Sequence, residues 1–189
     1  MNLRDASLSD LAASICDRCR ENGIQVVLSG GACVSIYTQN KYMSYDLDFV
    51  LASFVGRKRI KSAMKTLGFN EDGRHFRHPD SPFLVEFLSP PLSVGQEPVR
   101  EIREIRRGKK ILRLLSPTDC VKDRLAAFYH WNDRQSLDQA ILVCRDAEVD
   151  LHEVKRWSIG EGMKSRFGMF EKAISGQMAQ VSKLRRIKK

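Results

Sequence analysis

Ser29-Gly30-Gly31, fourteen residues more (32–45), then Asp46-Leu47-Asp48-Phe49-Val50-Leu51 is the stretch on which the fold turns. Ile24–Ser29 (IQVVLS) is a short apolar run of strand type, and it ends on the glycine pair. Ala32–Thr38 then has the composition of a short helix. Tyr45–Leu51 (YDLDFVL) alternates polar with apolar residues and reads as a second strand. A period of two puts Asp46 and Asp48 on one face and sends Leu47 and Phe49 into the core. Two carboxylates side by side repel each other unless a cation lies between them. An exposed edge strand with two solvated aspartates would give the same pattern. The small residues of Ser29-Gly30-Gly31 let backbone N–H groups approach a phosphate at the positive end of the following helix.

Outward from this stretch, residues 8–22 form an amphipathic helix ended by Asn22-Gly23, and residues 55–67 a basic helix closed by Gly68. Arg74–Arg77, the turn Pro79-Asp80-Ser81-Pro82 and Phe83–Leu88 (FLVEFL) read as a hairpin. Glu86 interrupts that apolar run, flanked by Val85 and Phe87 and with Leu84 and Leu88 on its own face. A carboxylate there needs a partner, either a metal shared with Asp46 and Asp48 or one of the arginines. Residues 99–115 read as two strands about Arg107-Gly108-Lys109.

From residue 116 the period becomes helical. Ser116-Pro117-Thr118-Asp119 is a helix start, with a serine cap and proline in the first turn. Helices follow at about 117–131 and 136–146, and from Asp150 with Glu153 three residues on. The last spans about 163–185, with Met163, Phe167, Phe170, Ile174, Met178, Val181 and Leu184 as a core stripe. The class is therefore α+β: an α+β domain over 1–115, then a helical domain over 116–189.

Composition limits the function. Across 189 residues, Lys+Arg 32 less Asp+Glu 23 gives +9, with 42% hydrophobic and 29% charged residues. Those are globular proportions, and no apolar run nears the roughly 18 residues of a membrane span. The opening MNLRDASLSD has no apolar signal core, so the expectation is a cytoplasmic protein without a membrane partner. The excess charge points to a polyanionic partner. Arg103, Arg106, Arg107, Lys109, Lys110 and Arg113 form one basic run; Lys183, Arg185, Arg186, Lys188 and Lys189 form another. Together they favour nucleic acid over a solvated hairpin and tail. Cys16-x-x-Cys19 lacks a second close pair for zinc, and Cys19 falls in the stripe Leu8, Leu11, Ala12, Ile15, so it reads as core. His75 and His78 read as polar surface or substrate-side residues.

The combination Ser29-Gly30-Gly31, Asp46-Leu47-Asp48-Phe49 and the later Glu86 resembles the nucleotidyltransferase superfamily. Its signature is a glycine turn, a D-h-D/E-h strand and a third acid on a later strand. The resemblance implies a mixed sheet with flanking helices, followed by a C-terminal helical bundle that completes the cleft. It also implies Mg²⁺ (or Mn²⁺) held by Asp46, Asp48 and Glu86, with a nucleoside triphosphate supported by Ser29, Gly30 and Gly31. The second half resembles the AbiEii-type toxins of bacterial toxin–antitoxin and abortive-infection systems, which carry a helical lysine and then R-D-x-x-D. The counterparts are Lys122 in Val121-Lys122-Asp123-Arg124-Leu125, expected at the triphosphate, and Asp138 in Arg134-Gln135-Ser136-Leu137-Asp138. Gln135 stands where the motif has its first aspartate, and Ala32 where many relatives have a hydroxyl. The implied catalytic set is Asp46, Asp48, Glu86, Lys122 and Asp138. The implied acceptor is RNA, the 3′ end of tRNA in that branch, and an antitoxin is the implied protein partner. Two other readings stay open: a non-catalytic binding module of the same fold, and transfer to a small molecule or a protein hydroxyl.

Overall fold

Val26, Val27, Leu28 and Ser29 are all buried, and the strand they form, β1 (Val26–Ser29), lies well inside the sheet. The computed structural model describes residues 3, 4 and 6–187, with side chains described as far as residue 176. Helix α1 (Leu8–Glu21) precedes β1 and is capped by Ser7, whose hydroxyl accepts from the Asp10 N–H. After β1 come α2 (Gly30–Tyr37), β2 (Asp46–Leu51) and α3 (Arg57–Lys65). Strands β3 (Asn70–Asp72), β4 (His75–Arg77), β5 (Leu84–Leu88), β6 (Ser93–Val94) and β7 (Glu97–Pro98) follow. The long hairpin β8 (Ile102–Arg107) and β9 (Lys110–Leu115) closes the strand-rich half. Helices α4 (Pro117–Trp131), α5 (Arg134–Asp146), α6 (Leu151–Gly160) and α7 (Lys164–Ile187) complete the chain.

The seven-stranded sheet has the order β3-β4-β5-β2-β1-β9-β8, and β6 pairs with β7 separately. The β1–β9 and β2–β5 pairs are parallel and the rest antiparallel, so the sheet is mixed. Leu47, Phe49 and Leu51 are buried on one face of β2 while Asp46, Asp48 and Val50 take the other. The same alternation in β5 buries Val85 and Phe87 and leaves Glu86 on the opposite face. Phe49 stacks on Phe87 at 5.8 Å between ring centroids, and Phe76 meets Phe87 edge-on at 5.7 Å. α1 packs on β9 and β1, α2 on β1, β2, α4 and α5, and α7 on α5 and α6. One apolar cluster runs from Leu8 to Ile174 through both halves of the chain.

Three differences from the sequence reading have local causes. α2 begins at Gly30 rather than Ala32, because Gly30 itself makes the turn at φ +67°. α5 begins at Arg134 because Asp133 caps it, accepting from the N–H groups of Gln135 and Ser136. β3, β6 and β7 have only two or three residues each, too few to show a period in sequence. Cys16 and Cys19 are buried free thiols, and burial pushes them up to about 11 and about 12, as core residues. Phe167, Phe170 and Ile174 of the final stripe are buried, whereas Met178, Val181 and Leu184 fall outside the described side chains. No helix among the described residues is long and apolar enough to cross a membrane.

Phe49 is fully buried behind the carboxylate face. Phe49→Ala should cost about 3–5 kcal/mol through lost burial and the cavity left behind. A loss of unfolding free energy of that size in urea titration, with Phe49→Leu well short of it, is the expected result.

Candidate active site

The register of β2 against its neighbours builds the site. Asp48 is the register partner of Ser29 on β1 and of Glu86 on β5, and His75 on β4 is the partner of Glu86. Asp48 and Glu86 therefore stand side by side on one sheet face. Gly30 lies against Asp48: a Cβ there would sit 2.6 Å from Asp48 Oδ2. Ser29 precedes α2 without capping it, because its hydroxyl donates to the Asp48 carbonyl at 3.2 Å. Asp46 is exposed at the start of the strand, and its N–H donates to Ser44 Oγ.

The electrostatics follow from the crowding. Burial, then Glu86 and then Asp46 raise the Asp48 carboxyl to about 6, and the Arg124 guanidinium opposes them. Glu86 Oε2 lies 3.4 Å from His75 Nε2 and 3.5 Å from the largely exposed Arg74 Nε. Of the two partners that sequence offered it, Glu86 has the arginine, Arg74, with His75 beside it, while its side chain shares the sheet face of Asp48. Three carboxylates are the hard oxygen donors that Mg²⁺ or Mn²⁺ takes, and a cation would relieve the repulsion that raises Asp48. Among the described residues no three His, Cys, Asp or Glu side chains already converge as a metal cage. The exposed Asp46 would have to turn inward to complete one.

Of the two candidates from the helical half, Lys122 lines a separate cavity. Lys122 is buried on α4 with its Nζ 2.6 Å from Glu153 Oε1 and 3.4 Å from Asp119 Oδ1. It lines a polar cavity of about 600 Å³ with Glu97, Arg100, Ser116 and Arg156, to which Asp46, Asp48 and Glu86 contribute nothing. Arg156 and Lys122 hold Glu153 down at about 2 in that cluster. Asp138 is exposed on α5. The cation of α4 that acts on Asp48 is Arg124, a residue the sequence reading passed over. Arg124 lies between Val121 and Phe128 on the buried arc of its helix, where a charge needs a reason. That was the available signal.

His78 proves structural. Its Nδ1 accepts from the Asp80 N–H, its ring tilts against Phe69, and it fills the space over Gly68. The basic hairpin divides between two faces. Arg103, Arg107 and Lys110 share the face of buried Leu112 and Leu114, while Arg106 and Arg113 take the other. Arg107 and Lys110 donate to Ser9 and Ser14 of α1. Lys183, Arg185 and Arg186 lie beyond the described side chains, and Lys188 and Lys189 outside the described residues altogether.

The fold has counterparts among solved structures. An antigenic nucleotidyltransferase-like protein from Paracoccidioides brasiliensis superposes with a TM-score of 0.54 at 14% identity, over 73% of this chain and 75% of that one. The chain has the nucleotidyltransferase fold. The antibiotic-resistance factor ANT(2″)-Ia is similar in solution, with a TM-score of 0.50 at 13% identity over 90% of this chain and 96% of that one. Its complex with adenylyl-2″-tobramycin gives 0.51 at 13% identity over 83% and 97%. No protein-family model matches the chain, and no curated protein matches it.

Two outcomes test this geometry. Gly30→Ala combines a positive φ with a clash onto Asp48 Oδ2, whereas a Cβ on Gly31 comes only within 3.2 Å of Ser44 Oγ. Gly30→Ala should lose roughly 1–2 kcal/mol or more from the backbone alone, and Gly31→Ala less, as read from thermal midpoints. The second outcome concerns pH. The Asp48 carboxyl titrates near 3.8 when unperturbed and near 6 in the folded protein, so between those values the folded state binds more protons. Metal-free protein should therefore lose stability as pH rises from about 4 to 6, by on the order of 2–3 kcal/mol. Asp48→Asn should flatten that segment of the denaturation profile.

Proposed function

We propose that the protein is a metal-dependent nucleotidyltransferase that moves NMP from an NTP to an acceptor hydroxyl and releases pyrophosphate. The observation that carries this reading is Asp48 register-paired with Glu86 and pressed against the Gly30 turn. Asp46, Asp48 and Glu86 would hold Mg²⁺ or Mn²⁺, which when bound supplies charge neutralisation at the phosphates and acidifies the attacking hydroxyl. The N–H groups that open α2 at Gly30 and Gly31 face the phosphates, because Ser29 leaves that helix end uncapped. Glu86 accepts the proton of the attacking hydroxyl. The acceptor oxygen bonds to the α-phosphorus as the bond to the bridging oxygen breaks. Positioning and charge do most of the work.

For the acceptor, the +9 charge supports RNA, such as a tRNA 3′ end. A small hydroxylated acceptor is favoured instead by the likeness to ANT(2″)-Ia with adenylyl-2″-tobramycin. The toxin reading, with an antitoxin partner, rests on Lys122 and Asp138, and Lys122 lines a cavity apart from the carboxylates.

The test incubates the protein with each labelled NTP, Mg²⁺ and either total RNA or an aminoglycoside panel. Wild type should label RNA with a steep salt dependence, and Asp48→Asn should lose at least about a hundredfold in rate while remaining folded. Label on the aminoglycosides alone would establish the small-molecule reading. No transfer from any NTP by folded protein would leave the binding module. As a toxin, wild type but not Asp48→Asn would arrest growth on expression.

A further inference from the structure

Arg124 is unassigned in that reading, and it is the cation of α4 whose charge acts on Asp48. Its side chain is 18% exposed. Nε donates to Asp123 Oδ2 at 3.0 Å, and Nη1 reaches Gln139 Oε1 on α5 at 3.5 Å. The guanidinium is thus held between two helices that both pack on α2, the helix that starts at Gly30. Asp123, its partner, lines a small cavity of about 200 Å³ with Ser29 at the end of β1 and Val50 on the Asp48 face of β2. Burial pulls against the charge, but Asp123 keeps Arg124 protonated, and its field reaches Asp48.

A buried arginine of this kind has two readings. As a structural ion pair, Asp123 and Arg124 would neutralise each other and need nothing more. Three features point beyond that. Adjacent residues on one helix pair through Nε and one terminal nitrogen to a single oxygen, Oδ2, which leaves guanidinium donors unused. The neighbouring N-terminus of α2 lacks a side-chain cap, so its orphan N–H groups are also unused. Finally, Lys122, the lysine expected at the triphosphate, is already consumed by Glu153 and Asp119 in a separate cavity.

We infer that Arg124, rather than Lys122, receives the β,γ-phosphates of the nucleotide beside the start of α2, with Asp123 and Gln139 as its positioning residues. The inference rests on the nucleotidyl-transfer reading. A planar guanidinium suits two phosphate oxygens at once, which a point-charge ammonium does not. Asp123 serves a second purpose here: it fixes the plane of the fork while the phosphates take the remaining donors. In the transfer step Arg124 forms no covalent bond and gives up no proton. It neutralises the charge that collects on pyrophosphate as the α-phosphorus–oxygen bond breaks.

Binding of inorganic pyrophosphate, of NTP and of NMP, each with Mg²⁺, is measured by calorimetry for wild type, Arg124→Ala, Arg124→Lys, Gln139→Ala and Lys122→Met. Arg124→Ala should lose roughly 10- to 100-fold in affinity for NTP and pyrophosphate, the range of a charge-assisted hydrogen bond, and little for NMP. Arg124→Lys should recover part of that loss, and Gln139→Ala should show a smaller loss of the same pattern. A purely structural role would lower the thermal midpoint without separating pyrophosphate from NMP. Should Arg124→Ala not fold, Arg124→Lys and Gln139→Ala decide the matter by the same comparison. Unchanged pyrophosphate affinity in folded Arg124→Lys and Gln139→Ala, or a loss confined to Lys122→Met, overturns the inference and leaves the transfer reading standing. If wild type binds neither NTP nor pyrophosphate, the transfer reading fails and this inference with it.

Discussion

Two carboxylates on neighbouring parallel strands, held side by side by backbone register, are the constraint around which the rest is arranged. Register is not a side-chain choice: once Phe49 and Phe87 are stacked in the core, Asp48 and Glu86 must share the other face. The repulsion between them is therefore built in by the core. At Glu86 relief comes from the next strand, through His75 and the adjoining Arg74; at Asp48 it comes from outside the sheet. Gly30 approaches Asp48 because it has no side chain, and Arg124 approaches from α4.

The cations of this basic chain are consequently less available than their number implies. Lys122 is bound by Glu153 and Asp119, and Arg156 forks onto Glu97 at 2.6–2.8 Å. Arg107 and Lys110 are tied to α1. What remains facing solvent on the hairpin is split between two sides of a sheet edge. Net charge describes attraction at long range, whereas recognition of a polyanion depends on which charges share a surface.

The shared face of the three acids was legible in the sequence. Alternation in Tyr45–Leu51 put Asp46 and Asp48 on one face, and a single acid in an apolar run marked Glu86, since a period of two is a local property. The glycine pair was legible as a turn, though the positive φ belongs to Gly30 alone. Lys122 was not legible, because the direction of a helical lysine depends on what packs around it, and Glu153 lies 31 residues further on. Arg124 was marked only by its place on the buried arc of α4, and its partner on α5, Gln139, lies 15 residues further on. The short strands β3, β6 and β7 carry too few residues for any pattern, and only their partners define them.

The β6–β7 hairpin has a wider meaning for how such a chain can change. It leaves the sheet just after the strand of Glu86, yet its fastenings come from α6: Trp157 Nε1 donates to the Val94 carbonyl, the Gln96 N–H to Glu161, and Arg156 grips Glu97. A segment encoded in the strand-rich half is thus held in shape by residues some 60 positions downstream. Exchange of the helical half for a foreign one would release that hairpin and, with it, the wall of the small cavity beside Ser29. Recombination at the change of secondary structure near residue 115 is therefore a poor route to new variants. The two halves are heritable only together.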